Sequence, residues 1–138
     1  MTAIDHIGIS VGDFDKSVEF YQAVLGTLGI KLLTDMEMGG DRHAGFGVEN
    51  AFFWVSKDAR PAGNCHIAFT ATNRADVGSF HITGLGMGGR DNGAPGVRPH
   101  YHAHYYAGFL LDPDGNNIEA VCHAPEAAED AEAQNAAD

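Results

Sequence analysis

Residues 105–121, YYAGFLLDPDGNNIEAV, place two apolar runs on either side of an Asp-Pro-Asp-Gly-Asn cluster. Proline fixes its backbone angle φ, and glycine readily adopts a positive φ, so the cluster predicts a tight turn between two strands. Because side chains alternate along a strand, Glu119 lies on the face opposite Ile118 and Ala120. A carboxylate in the middle of a short apolar strand is costly unless it is paired or neutralised. The hairpin therefore predicts a partner for Glu119.

The composition is that of one small globular protein. The chain has 138 residues, of which 44% are hydrophobic and 18 are glycine, as is typical of a turn-rich α+β domain. A formal net charge of −11 argues against nucleic acid or an anionic membrane surface as a partner, because both attract clustered lysine and arginine. No apolar run is long enough to span a membrane and the N-terminus lacks a signal sequence, so we expect a cytoplasmic protein.

A repeat with an offset of sixty residues divides the chain into two similar units. The identical positions are His6/His66, Ile7/Ile67, Phe20/Phe80, Leu25/Leu85 and Gly26/Gly86. Each unit has the pattern of a strand, a helix and three further strands. We predict an α+β fold in which two tandem βαβββ modules, about residues 4–57 and 64–123, form a curved mixed sheet around a cleft. They make a single domain, residues 1–123, followed by an acidic, alanine-rich tail at 124–138.

Within the modules, local patterns predict the helices more clearly than the connections. Asp13 is predicted as the N-cap of a helix that runs to about Leu25, and a second helix is expected near residues 74–87. Asp35 to Arg42 is polar and contains glycine, so it is predicted as a loop. Gly88 to His100 is rich in glycine and proline and is also predicted as a loop.

Two histidines and a carboxylate occupy related positions in the repeat. His6 and His66 lie on the first strand of each module, on its face of small and polar residues, and Glu119 lies on the last strand of the second module. A lone histidine in a strand is more often an ordinary hydrogen-bonded residue, but the symmetric pair with a carboxylate is a ligand set for a divalent metal. Fe²⁺, Mn²⁺, Ni²⁺ and Zn²⁺ all suit these donors. The competing interpretation is a cleft that kept the residues and lost the metal.

Further residues are predicted to act on a small-molecule substrate. They are His100 and Tyr106, as candidate catalytic bases, and Trp54, Arg98 and Tyr101, as substrate-binding residues. The arginine and tyrosines offer donors for an anionic or phenolic group, whereas the tryptophan offers an apolar wall. The alternative is that they are solvated loop residues and ordinary core.

A second metal site is a weaker alternative. His100, His102 and His104 alternate, and in an extended segment their side chains would project to one side. The segment follows Pro99 and is interleaved with tyrosines, so lining the mouth of the cleft is the favoured interpretation.

The predicted topology and three motifs resemble a known superfamily. The motifs are the opening Asp5-His6-Ile7-Gly8-Ile9, a helix with Phe20-Tyr21 and Leu25-Gly26, and Asp112-Pro113-Asp114-Gly115-Asn116 leading to Glu119. Over about residues 4–123 they resemble the glyoxalase, bleomycin-resistance and extradiol-dioxygenase superfamily, also called vicinal oxygen chelate. The resemblance implies that His6, His66 and Glu119 are metal ligands.

The resemblance implies a metal-dependent enzyme that acts on a small organic substrate through metal-bound oxygens, as a lyase or isomerase or as a dioxygenase. Glyoxalase I uses a fourth ligand, usually Glu, on the last strand of the first module, and Ala51–Ser56 has no ligand type at its centre. Extradiol dioxygenases use three ligands but have a tyrosine ten residues before the glutamate, where this chain has Phe109. His100 matches the spacing of a histidine beside their metal.

The alternative function is a non-enzymatic protein of the bleomycin-resistance type, which sequesters a ligand in an aromatic-lined cleft without metal. The acidic charge suits a cationic ligand, whereas the presence of all three ligand types favours the enzyme. The resemblance also implies a homodimer. The cleft then forms either within one chain or across two, and the residues leave both arrangements open.

Overall fold

The computed structural model describes residues 3–61 and 63–126, so most of the predicted tail lies outside the described residues. In these ranges the elements are β1 (Ile7–Val11), α1 (Phe14–Gly26), β2 (Lys31–Met38), β3 (Asp41–Gly47), β4 (Ala51–Lys57), β5 (His66–Thr70), α2 (Arg74–Gly86), β6 (Arg90–Val97), β7 (Tyr106–Leu111) and β8 (Asn117–Cys122). The predicted α+β fold of two tandem βαβββ modules is confirmed.

Each module forms a four-stranded mixed sheet with the same strand order. The orders are β1-β4-β3-β2 in the first sheet and β5-β8-β7-β6 in the second. The first strand of each module pairs in parallel with the last, and the other pairs are antiparallel. As a result, β1 and β5 are edge strands of two separate sheets.

The two modules share one hydrophobic core. Helices α1 and α2 contact each other, and the sheets pack their apolar faces against them. The rings of Phe53 in β4 and Phe69 in β5 meet edge to face at 5.3 Å, which joins the two sheets through the core. Burying an aromatic side chain of this kind contributes about 1.5–3 kcal/mol. No helix in the described ranges has the length and apolarity needed to cross a membrane.

The Asp-Pro-Asp-Gly-Asn turn joins the second module to the first. The buried carboxylate of Asp112 accepts hydrogen bonds from the backbone N–H groups of Asp114 and Asn116, at 2.9 and 2.8 Å, and from the Asn116 side chain at 2.9 Å. It also accepts one from the hydroxyl of Tyr21 in α1. Burial, and then the charge of Asp112, raise the pKa of Tyr21 well above its usual value, so the hydroxyl remains a donor.

Two segments that were predicted to be loops contain strands, so these two predictions are wrong. Asp35–Arg42 contains the ends of β2 and β3 and turns at Gly39 and Gly40, whose φ angles are 61° and 87°. The second loop, Gly88 to His100, contains β6, which pairs with β7 through two register shifts. In both places the residues have a weak propensity for strands, and pairing with a neighbouring strand overrides it. An edge strand such as β6 also tolerates glycine and proline.

Candidate functional site

One face of each sheet packs on the helices. At the edge strands β1 and β5 the opposite face, here called the open face, is exposed, whereas β8 is buried on both faces apart from the partly exposed Asn117. In β5, Phe69 is buried whereas His66, Ala68 and Thr70 are exposed. In β1, Ile9 is buried and Gly8 is exposed. The predicted ligand positions therefore belong to the open faces.

On the second open face, a buried carboxylate meets an imidazole. Glu119 pairs in register with Ala68, so it lies on the same face as His66, two residues earlier. The His66 Nε2 and Glu119 Oε1 atoms are 2.8 Å apart. The Glu119 side chain is 1% exposed, whereas that of His66 is 54% exposed. The partner expected for Glu119 is thus present, and the pair opens to solvent on the histidine side.

The second carboxylate oxygen of Glu119 is held by a residue that was not predicted. The hydroxyl of Tyr105 donates a hydrogen bond to Glu119 Oε2. Desolvation, and then the bond to Glu119, raise the pKa of Tyr105, so its hydroxyl stays protonated at neutral pH. No local pattern in the sequence identifies Tyr105. Its place follows from the register between β7 and β8, in which Phe109 is the cross-strand partner of Glu119 and Tyr105 lies four residues before Phe109, on the same face.

Tyr106, predicted as catalytic, lies on the opposite face. It is 9% exposed, belongs to the hydrophobic core and pairs in register with Cys122. The guanidinium of Arg74 lies 4.9 Å from the centre of its ring. Its placement gives no support to the predicted catalytic role, because the core face points away from Glu119.

His6 lies just before β1 of the other sheet. Its Nδ1 atom is 2.6 Å from Oδ1 of Asp5, and its side chain is 59% exposed. Over residues 3–61 and 63–126, no three or more His, Cys, Asp or Glu side chains come together in a way that could hold a metal ion. A single chain therefore brings together two of the three predicted ligands.

The first module carries Trp54 at the position that corresponds to Glu119. Gly8 pairs with Trp54 as Ala68 pairs with Glu119, and Gly8 and Ala68 are sixty residues apart. A Cβ atom on Gly45, opposite Trp54, would come within 2.9 Å of Cη2 and Cζ3 of the indole. The ring thus lies across the strand, in space that only glycine leaves free, and no fourth ligand stands there.

Residues 98–104 form turns that lie next to Tyr105. Arg98 places its guanidinium 5.3 Å from the ring centre of Phe109, and its Nη2 atom donates to the Ala94 carbonyl at 2.7 Å. Tyr101 is exposed, with its ring 4.7 Å from that of Tyr105 and 4.2 Å from that of His100. The predicted substrate-binding pair Arg98 and Tyr101 thus lies around the Glu119 face.

The alternating histidines do not form an extended row. His102 turns towards His123, and their Nε2 and Nδ1 atoms are 2.9 Å apart. The backbone N–H of His104 donates to His102 Nδ1 at 3.0 Å. The extended segment that this weaker alternative requires is not present, because residues 99–101 and 103–104 are in turns.

An apolar groove of about 620 Å³ lies beside the edge strands of both modules. It is lined by Ile4, Ile7, Val48, Phe52, Ile67 and Thr70, among others. Two of its lining side chains, Ile4 and Val48, are 68% and 65% exposed.

Comparison with known proteins supports the superfamily resemblance. Residues 3–120 match the Glyoxalase/Bleomycin resistance protein/Dioxygenase superfamily. A glyoxalase/bleomycin resistance protein from Albidiferax ferrireducens T118 has a similar structure, with a TM-score of 0.72 and 28% identity over 90% of this chain and 100% of that one. No match is found among curated proteins.

More distant structures share the fold. A glyoxalase/bleomycin resistance protein/dioxygenase family enzyme from Burkholderia phytofirmans PsJN has a TM-score of 0.65 and 16% identity, over 87% of this chain and 98% of that one. Glyoxalase I from Zea mays has a TM-score of 0.66 and 18% identity over 86% of this chain, which spans only 45% of the maize protein. With its family match over most of its length, the chain belongs to the glyoxalase/bleomycin resistance protein/dioxygenase superfamily.

Proposed function

We propose that the protein is a metal-dependent enzyme that acts on a small organic substrate, and that it works as a homodimer. The metal ligands are His6 of one copy with His66 and Glu119 of the second copy. The observation that carries the proposal is the buried carboxylate of Glu119, with Oε1 2.8 Å from the imidazole of His66 on an open sheet face. A buried acid is retained at this cost where it is paired or holds a cation.

The donors fit a divalent transition metal. Imidazole nitrogen and carboxylate oxygen suit Fe²⁺, Mn²⁺, Ni²⁺ or Zn²⁺, and three protein ligands leave positions for substrate. A bound ion of this kind supplies Lewis-acid chemistry at substrate oxygens. Trp54 in place of a fourth acid argues against the four-ligand pattern that the resemblance assigns to glyoxalase I.

The separation of the sheets supports a division of the site between two copies. His6 precedes β1 on one sheet, whereas the Glu119 pair lies on β5 and β8 of the other. Both β1 and β5 are edge strands, with backbone groups available for pairing, and the apolar groove lies beside them. A two-fold pair of chains makes each contact twice, so it creates two equivalent sites.

Other side chains have roles that need no covalent step. Arg98 and Tyr101 offer donors near the Glu119 face, and Trp54 offers an aromatic surface on the first module. The Tyr105 hydroxyl donates a hydrogen bond to Glu119 Oε2. His100 contacts Tyr101 and is the remaining candidate for a general base.

A second candidate function is a metal-free binding protein. Both oxygens of Glu119 are satisfied by protein donors, His66 and Tyr105, and a carboxylate in that state needs no cation. In this case the open faces and Trp54 would bind a ligand without chemistry.

The test is the metal content of protein purified without a chelator or a histidine tag. We compare the wild type with His6→Ala and Glu119→Ala, and with His43→Ala as a control, because His43 contacts Ser56 rather than the proposed ligands. We expect about one equivalent of metal per chain in the wild type and the control, and its loss from both site variants. A folded wild type that stays metal-free after anaerobic reconstitution with Fe²⁺ or Ni²⁺ favours the binding protein.

A further inference from the structure

We propose that Tyr105 is the positioning residue of the metal site, and that the His/Tyr segment 98–105 folds to hold its hydroxyl against Glu119. This inference rests on the proposed function. The proposed function gives roles to Arg98, His100 and Tyr101, and the inference adds the part that His102, His104 and Tyr105 play.

The two oxygens of the Glu119 carboxylate have different neighbours. Oε1 lies 2.8 Å from the imidazole of His66, whose side chain is half exposed. Oε2 accepts the hydrogen bond from the Tyr105 hydroxyl. Oε1 is therefore the oxygen that can share a cation with His66, while Oε2 is occupied by a neutral donor.

The ring of Tyr105 contacts three other rings. His102 and His123 meet it nearly edge on, at 5.5 and 5.2 Å between centroids, with interplanar angles of 78° and 82°. Tyr101 lies 4.7 Å away on an inclined plane. We call His102 and His123 the histidine clasp. Edge-to-face contacts of this kind favour one orientation of an aromatic ring.

The histidine clasp is fixed by its own hydrogen bonds. The backbone N–H of His104 donates to Nδ1 of His102, so that nitrogen carries no proton. The proton of His102 is then on Nε2, which donates to Nδ1 of His123 at 2.9 Å. Each imidazole thus has a defined tautomer and orientation.

Backbone hydrogen bonds also hold the two ends of the segment together. The N–H of Arg98 donates to the carbonyl of Tyr105 at 2.7 Å, and the N–H of Tyr105 donates to the carbonyl of His102 at 3.2 Å. Backbone and rings together hold the hydroxyl at one place. Removing that hydroxyl leaves Oε2 buried without its donor and free to compete with Oε1 for the metal.

The experiment is a titration of the wild type and of Tyr105→Phe with Co²⁺. Calorimetry measures the affinity, and visible absorption gives the spectrum of the bound ion. We expect Tyr105→Phe to bind Co²⁺ about 10- to 100-fold more weakly, as is typical when a partner of a ligand is removed. Its Co²⁺ spectrum should also change, since the carboxylate can then bind through both oxygens.

Tyr21→Phe is the matched control, because it also removes a tyrosine hydroxyl from a buried carboxylate, that of Asp112. We expect it to lower the stability and leave the Co²⁺ affinity and spectrum unchanged. His123→Ala is a second site variant that loosens the histidine clasp without removing the bond to Glu119, and it should weaken Co²⁺ binding by a smaller factor.

The outcomes separate the inference from the proposed function. If the wild type binds Co²⁺, and Tyr105→Phe and His123→Ala bind it with the same affinity and spectrum, the positioning role is wrong and the proposed function stands. If the wild type binds no Co²⁺, both are wrong.

Discussion

Trp54 and Glu119 occupy corresponding positions in the two modules and have opposite chemistry. The pairings Gly8–Trp54 and Ala68–Glu119 establish this correspondence. The sequence repeat and strand alternation were enough to predict the open face of Glu119, because its strand follows directly from a clear turn. They were not enough to choose Tyr105 over Tyr106, because that choice depends on the register between β7 and β8, which no local pattern specifies.

The position of the Trp54 ring depends on Gly45. In Gly45→Ala the new Cβ would lie 2.9 Å from two atoms of the indole, so the ring must move. We expect a shift in the fluorescence of Trp54, which is the single tryptophan of the chain, and a loss of about 1–3 kcal/mol in unfolding free energy. Gly26→Ala is the control, since a Cβ there meets nothing within 4 Å. An unchanged emission spectrum in Gly45→Ala would contradict the packing described.

Among the elements, the β7–β8 hairpin links the site to the core of the first module. Its turn residues made it predictable from sequence, but the contact between Asp112 and Tyr21 spans 91 positions and was not. The same limit explains the missed strand β6 and the extended β2–β3 hairpin. Their glycines and polar residues favour loops locally, and only pairing with distant strands makes them regular.

We expect the bond between Tyr21 and Asp112 to stabilise the junction of the modules. Tyr21→Phe removes one donor from a carboxylate that is 1% exposed, and we expect a loss of about 1–3 kcal/mol in unfolding free energy. Denaturant unfolding monitored by circular dichroism measures it. Tyr101→Phe serves as a control because Tyr101 is exposed, and it should unfold like the wild type. Equal stability of Tyr21→Phe and wild type would show that the bond adds nothing.

For the whole molecule, the separation of the two sheets is the feature on which the proposed two-copy metal site rests. The sixty-residue repeat predicted the two modules and the pair His6 and His66, and the hairpin predicted Glu119. They left open whether one chain or two completes the site, because that depends on how whole modules pack. Because β1 and β5 are edges of separate sheets, and in the described residues His6 does not cluster with His66 and Glu119, our proposal divides the site between two copies.

The most direct test is metal binding by mixed dimers. His6→Ala and Glu119→Ala are co-expressed with two different non-histidine tags, and the mixed dimer is isolated by successive use of both. A site shared between copies is rebuilt once in this dimer, from the intact His6 of one chain and the intact Glu119 of the other. We predict about one metal ion per mixed dimer and none in either variant alone. A stable mixed dimer without metal, from a wild type that binds it, would contradict the shared site.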